Sequence, residues 1–113
     1  MRRHTVRLLT AILLWVAAGA AFAADLITLD IKAQAFEPKE FSVPVGVKVE
    51  LVVRNDDDLP AEFESYDLSR EVVVPAHSQV KVYIGPLDAG RYRFFNDFHQ
   101  ASEGWVVVAA AAK

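Results

Sequence analysis

Between Leu26 and Val108 the chain alternates apolar and polar residues in several short segments. The clearest of these segments cover residues 26–32, 47–54 and 79–84. A period of two places successive side chains on opposite faces of an extended chain, so each segment is predicted to be a half-buried β-strand. No stretch of ten or more residues between these limits follows the helical period.

Proline, glycine and asparagine separate the strands. Turns are predicted at residues 36–38, at Gly46, in the loop 55–60 and at residues 86–90. Shorter strands are predicted at residues 41–43, 62–66, 72–74, 91–94 and 105–108. Short strands that recur about every 8–12 residues between turn signals indicate an all-β sandwich or barrel.

The first 23 residues have the order of a secretory signal peptide. Residues 1–7 contain three arginines and no acid, residues 8–22 are almost entirely apolar, and residues 21–23 read Ala-Phe-Ala. This order of basic, apolar and small residues is typical of a cleaved leader. The apolar run is shorter than the roughly 20 residues that a membrane-spanning helix needs. We therefore expect residues 1–23 to be removed and residues 24–113 to form one domain.

The charge of that domain limits its partners. The leader holds three of the 12 basic residues and none of the 15 acidic ones, so the remaining domain has a net charge of −6. Nucleic acids and anionic membranes are bound through basic patches, and this charge argues against both. It is compatible with a cation or with a basic protein surface. The sequence also shows no nucleophile–base arrangement, phosphate loop or zinc-finger spacing, so a hydrolase has no support.

Three stretches resemble the cupredoxin family. They cover residues 36–55, residues 55–63 and residues 90–104, and the third is the most specific, reading Gly-x-Tyr-x-Phe-Phe-Asn-x-x-His-Gln from residue 90 to residue 100. In cupredoxins the second stretch carries one copper histidine, and the third carries a cysteine, a histidine and a methionine. The resemblance implies a cupredoxin-like Greek-key β-sandwich of about seven to eight strands in residues 24–113.

Most of the copper ligands are missing from this chain. The resemblance places Asn96 at the cysteine position, Gly104 near the methionine position, and Ala61, or Glu62 after a shift of one residue, at the first histidine position. Only His99 matches a ligand. A blue-copper site needs a cysteine thiolate and two imidazoles. Because the chain has no cysteine, type-1 copper is excluded.

Carboxylates surround the one matching histidine. Glu62 and Glu64 lie two residues apart on a predicted strand, so their side chains share a face. Asp97 and Glu103 flank His99 in the sequence. Carboxylates with one imidazole suit iron, copper(II), zinc or manganese. We therefore predict a metal site formed by these five residues.

Tyr66 adds a phenol beside the predicted site. A tyrosine at such a position is more often a packing residue than a ligand. The acidic pair is likewise open to another interpretation, in which Glu62 and Glu64 belong to a solvated strand face.

Residues 61–68 and 94–99 are similar to a narrower group, the periplasmic cupredoxin-like proteins that accompany bacterial ferrous-iron permeases. This resemblance implies a periplasmic protein that handles or oxidises Fe(II), with a metal ion and a membrane permease or another periplasmic protein as partners. It leaves open whether the protein is a ferroxidase. Two alternatives also stay open. One is a metal-free shell that binds a protein partner such as the permease, and the other is a copper-handling protein.

Overall fold

The computed structural model of the protein describes residues 26–111. The expected signal peptide and its cleavage position lie outside these residues. Among the described residues, no helix is long and apolar enough to cross a membrane. Nine strands are described: β1 (Leu26–Lys32), β2 (Ala35–Glu37), β3 (Glu40–Val43), β4 (Val49–Asn55), β5 (Ala61–Ser65), β6 (Arg70–Val74), β7 (Ser78–Ile84), β8 (Gly90–Asn96) and β9 (His99–Val108).

The strands form two sheets. One sheet has the order β2-β1-β4-β7 and the other has the order β3-β9-β8-β5-β6. The β1–β4 and β3–β9 pairs are parallel, whereas the remaining neighbours are antiparallel. The all-β class and the cupredoxin-like sandwich are thereby confirmed, with nine strands described where seven to eight were expected.

The additional strand β2 lies where the sequence predicted a turn at residues 36–38. It pairs with β1 through a tight turn in which Ala33 and Gln34 have positive φ angles of 49° and 65°. Both backbone N–H groups of that turn donate to the carboxylate of Asp57 at 2.8 Å. The turn contains no glycine or asparagine, and an acid from a distant loop holds it, so no local signal marks it.

Three phenylalanines fill the core beneath the end of the sandwich that carries the candidate residues. Phe63 of β5 and Phe94 of β8 stack with ring centroids 5.3 Å apart, and Phe36 of β2 meets Phe94 edge-on at 5.0 Å. All three side chains are at most 1% exposed. Such aromatic pairs contribute about 0.5–1.5 kcal/mol each beyond the burial of their area. They pack strands of both sheets against each other beneath the site.

Candidate metal site

The acidic residues of β5 lie on the outer face of the five-stranded sheet. Phe63 between them points into the core, so Glu62 and Glu64 point away from it. Glu64 lies opposite Glu71 on β6 and opposite Phe95 on β8. The two glutamates are nevertheless only 6% and 9% exposed. The interpretation of this face as fully solvated is therefore wrong.

Three carboxylates meet at this position. Oxygen atoms of Glu62, Glu64 and Asp97 all lie within 4.8 Å of one another, and we call these three residues the carboxylate cluster. Asp97 comes from the turn after β8, where its N–H donates to the backbone oxygen of Glu62 at 3.0 Å. Five residues were predicted to form one site, and the structure brings three of them together, while their metal role stays a prediction.

One oxygen of the carboxylate cluster lacks any partner. Oε1 of Glu62 is buried and receives no hydrogen bond. None of the ion pairs among residues 26–111 includes a residue of the cluster. A buried carboxylate oxygen without a donor is costly, and a cation at that point would remove the cost.

Three groups at the site have pKa values above their ordinary values. A hydrogen bond with Glu71, burial and the negative charges of Glu71, Asp97 and Glu64 raise the pKa of Glu62 from 4.5 to about 7. Burial, followed by the charge of Asp97, raises the pKa of Glu64. The negative charge of Glu64 is the largest cause of the raised pKa of Tyr66. The negative charges that contribute to these raised pKa values would also attract a cation.

The raised pKa of Glu62 predicts how the stability of the metal-free protein depends on pH. The folded state retains a proton that the unfolded chain releases above pH 4.5. Stability is therefore greatest below that pH and falls as pH rises towards about 7. Thermal melts in the presence of a chelator should show Tm decreasing across this range, and Glu62→Gln should flatten the decrease. A Tm that rises between these pH values in the wild type would contradict the prediction.

Asn96 occupies the position that the resemblance assigns to the copper cysteine. Its side chain is 1% exposed, and its Oδ1 accepts N–H hydrogen bonds from Glu62 and Phe98, each at 3.1 Å. Its Nδ2 donates to the backbone oxygen of Gln34 at 3.3 Å. The amide thus links β5, the β8–β9 turn and the β1–β2 turn. The role of this amide could not be predicted from the sequence, because two of its partners lie 34 and 62 positions away in the chain.

The methionine position near Gly104 is closed by packing. A Cβ atom at residue 104 would lie 2.6 Å from the backbone oxygen of Lys39 and would collide with the ring of Phe94. Neither Asn96 nor Gly104 therefore offers a free ligand atom at the end of the sandwich.

The structure leaves two predicted ligands outside the carboxylate cluster. His99 is exposed at the start of β9, and its Nδ1 lies 2.9 Å from the hydroxyl of Ser102. Glu103 accepts a hydrogen bond from Nε of Arg93 at 2.7 Å. Because an exposed histidine can turn, its metal role stays a prediction, whereas Glu103 already has a cationic partner.

Tyr66 stands at the edge of the carboxylate cluster. Its ring lies 5.5 Å from that of Phe95, and its side chain is largely exposed. Together with Glu64 and Glu71 it borders a shallow pocket of about 310 Å³. Its phenol therefore has room to face a bound ion.

Sequence comparison supports the architecture. Residues 5–108 match the family model described as a cupredoxin-like domain. The chain belongs to this family. An uncharacterized protein of Rickettsia prowazekii (strain Madrid E) is 39% identical over 83 residues, which is 73% of this cupredoxin-like chain. The match spans 66% of the length of that relative.

Solved structures show the same fold. The metal-binding domain of the Cu(I)-exporting P-type ATPase CopA of Streptococcus pneumoniae D39 is 13% identical, with a TM-score of 0.65 over 74% of this chain and 84% of its own. Amicyanin of Paracoccus versutus is 17% identical, with a TM-score of 0.60 over 75% and 82%. A purple cupredoxin of Nitrosopumilus maritimus is 20% identical, with a TM-score of 0.55 over 74% and 99%. At these identities the likeness to this cupredoxin-like chain is one of fold.

Proposed function

We propose that this protein is a periplasmic metal-binding protein of the cupredoxin-like family that handles Fe(II) as an accessory of iron uptake. The observation that carries the proposal is the carboxylate cluster, in which three oxygens lie within 4.8 Å and one oxygen of Glu62 is buried without a partner. An anionic, oxygen-rich group of this kind binds divalent cations.

The two parts of the proposal have separate support. The basic, apolar and small-residue order of residues 1–23 supports export. The similarity of residues 61–68 and 94–99 to cupredoxin-like partners of iron permeases supports iron as the cargo and a permease as the recipient. Carboxylates suit Fe(II) as ligands, but they also accept Mn(II) and Zn(II). The identity of the metal therefore has to be measured.

A copper-handling protein is the second candidate. It is favoured by the structural neighbour whose name describes a metal-binding domain with Cu(I). Cu(I), however, prefers thiolate and thioether ligands. The chain has no cysteine, and its one methionine is Met1 of the expected leader. Copper would thus bind here as Cu(II), through the same carboxylates and His99.

Metal retention under competition tests these functions. Protein beginning at Ala24 is offered Fe(II) without oxygen together with Mn(II), Zn(II) and Cu(II), dialysed, and analysed for bound metal. We expect about one equivalent of metal to remain bound per chain, and we expect iron to be among the metals retained. Retention of copper alone favours the copper-handling protein. Retention of no metal favours the metal-free shell and contradicts the proposal.

A further inference from the structure

We infer that Glu71 and Tyr66 complete an all-oxygen site with the carboxylate cluster, and that this site binds a hard trivalent cation such as Fe(III) more tightly than a divalent one. The inference rests on the proposed metal-binding function and specifies which charge state the site prefers. Glu71 and Tyr66 are two ligands beyond the five residues predicted from the sequence.

The register of the sheet brings Glu71 to the site. Glu71 on β6 is directly opposite Glu64 on β5, and the two side chains lie on the same outer face. Like charges in directly opposed positions destabilise a sheet. Among residues 26–111 no ion pair involves Glu71, so its charge is not compensated by a basic side chain.

Tyr66 lies at the open side of the same group. It follows β5 directly and lines the pocket that Glu64 and Glu71 also border. Tyrosine oxygen is one of the ligands by which proteins hold iron. Because Tyr66 is 75% exposed, its ring can be altered without opening the core.

The charge and hardness of the donors select the cation. Four carboxylates and a phenol provide anionic oxygen and no sulfur, and the imidazole of His99 lies outside the carboxylate cluster. The attraction between such a group and a cation grows in proportion to the charge of the cation. The buried, unpartnered Oε1 of Glu62 is the oxygen that would gain most, since it receives nothing from the protein.

Gallium(III) tests the charge preference without any redox change. Ga(III), Mn(II) and Zn(II) are supplied as nitrilotriacetate complexes, and their dissociation constants are corrected for the chelator. We expect Ga(III) to bind at least tenfold more tightly than either divalent ion. Glu71→Gln should reduce that preference by about tenfold. Glu40→Gln, which alters an exposed acid paired with Arg91 on β8, should leave it unchanged.

Iron(III) gives an independent measurement for Tyr66. A phenolate bound to Fe(III) produces a visible charge-transfer absorption. We expect this absorption in the wild type and in Tyr83→Phe, which changes a half-exposed tyrosine of the other sheet, but not in Tyr66→Phe. Far-ultraviolet circular dichroism of each variant shows that the fold is retained.

The outcomes separate this inference from the proposed function. Divalent ions that bind the carboxylate cluster as tightly as Ga(III) would overturn the trivalent preference and leave metal binding in place. An absorption that survives Tyr66→Phe would remove Tyr66 from the site. If the wild type binds no ion of either charge, both the inference and the proposed function fail.

Discussion

Replacing Asn96 with leucine is expected to lower the free energy of unfolding by about 2–5 kcal/mol, because a buried N–H group that loses its acceptor costs about 1–3 kcal/mol. The N–H groups of Glu62 and Phe98 both donate to Oδ1 of Asn96. Leucine has the same number of side-chain heavy atoms and the same branching as asparagine, but it is bulkier and cannot accept either bond.

Urea denaturation of the metal-free protein measures this loss. Gln100→Leu is the matched control, since Gln100 is an exposed amide of the same hairpin whose Nε2 donates to Oδ1 of Asp97 at 3.0 Å rather than to the backbone. The control should stay within about 0.5 kcal/mol of the wild type. If Asn96→Leu were equally mild, the amide would not be the link between the three segments.

Most strands could be predicted from the sequence, the most regular ones best, whereas β2, which depends on a distant contact, could not. The alternation of residues 26–32, 47–54 and 79–84 is found as β1, β4 and β7, whose inward residues form the core. Strand β2 was not predicted, because the turn between β1 and β2 depends on Asp57, which is 24 positions from Ala33. A local pattern contains no information about such a partner.

The same distinction applies to the candidate site. The two-residue spacing of Glu62 and Glu64 predicted a shared face, since that follows from the geometry of any strand. The proximity of Glu71 could not be predicted, because it depends on the register between β5 and β6. The burial of these acids also depends on residues contributed by other strands, such as Phe95 of β8.

The family resemblance directed attention to one end of the molecule, where the structure places different atoms from those of a copper site. Asn96 takes the cysteine position and uses its amide within the protein, so the end of the sandwich is closed by hydrogen bonds. The carboxylate cluster lies beside that position, on the outer face of the sheet. A domain without a cysteine can therefore keep the cupredoxin-like architecture while offering oxygen ligands on an adjacent surface.

Substitutions in the carboxylate cluster and at His99 are expected to weaken metal binding by different amounts. We expect Glu62→Gln to weaken the binding of Fe(II) or Mn(II) at least tenfold, which corresponds to about 1.4 kcal/mol. The substitution keeps the shape of the side chain but removes the buried, unpartnered anionic oxygen. His99→Ala should weaken binding less, since this imidazole is exposed and already bonded to Ser102.

Titration calorimetry under nitrogen compares these variants with two matched controls. Glu37→Gln alters an exposed acid of the other sheet, and His77→Ala alters an exposed histidine that is paired with Asp58. Both controls should bind metal as the wild type does. If His99→Ala lost at least as much affinity as Glu62→Gln, the metal would be held by the imidazole at the end of the sandwich. The proposed site on the outer face of the sheet would then be wrong, because removing the buried, unpartnered oxygen of Glu62 would not have been the larger loss.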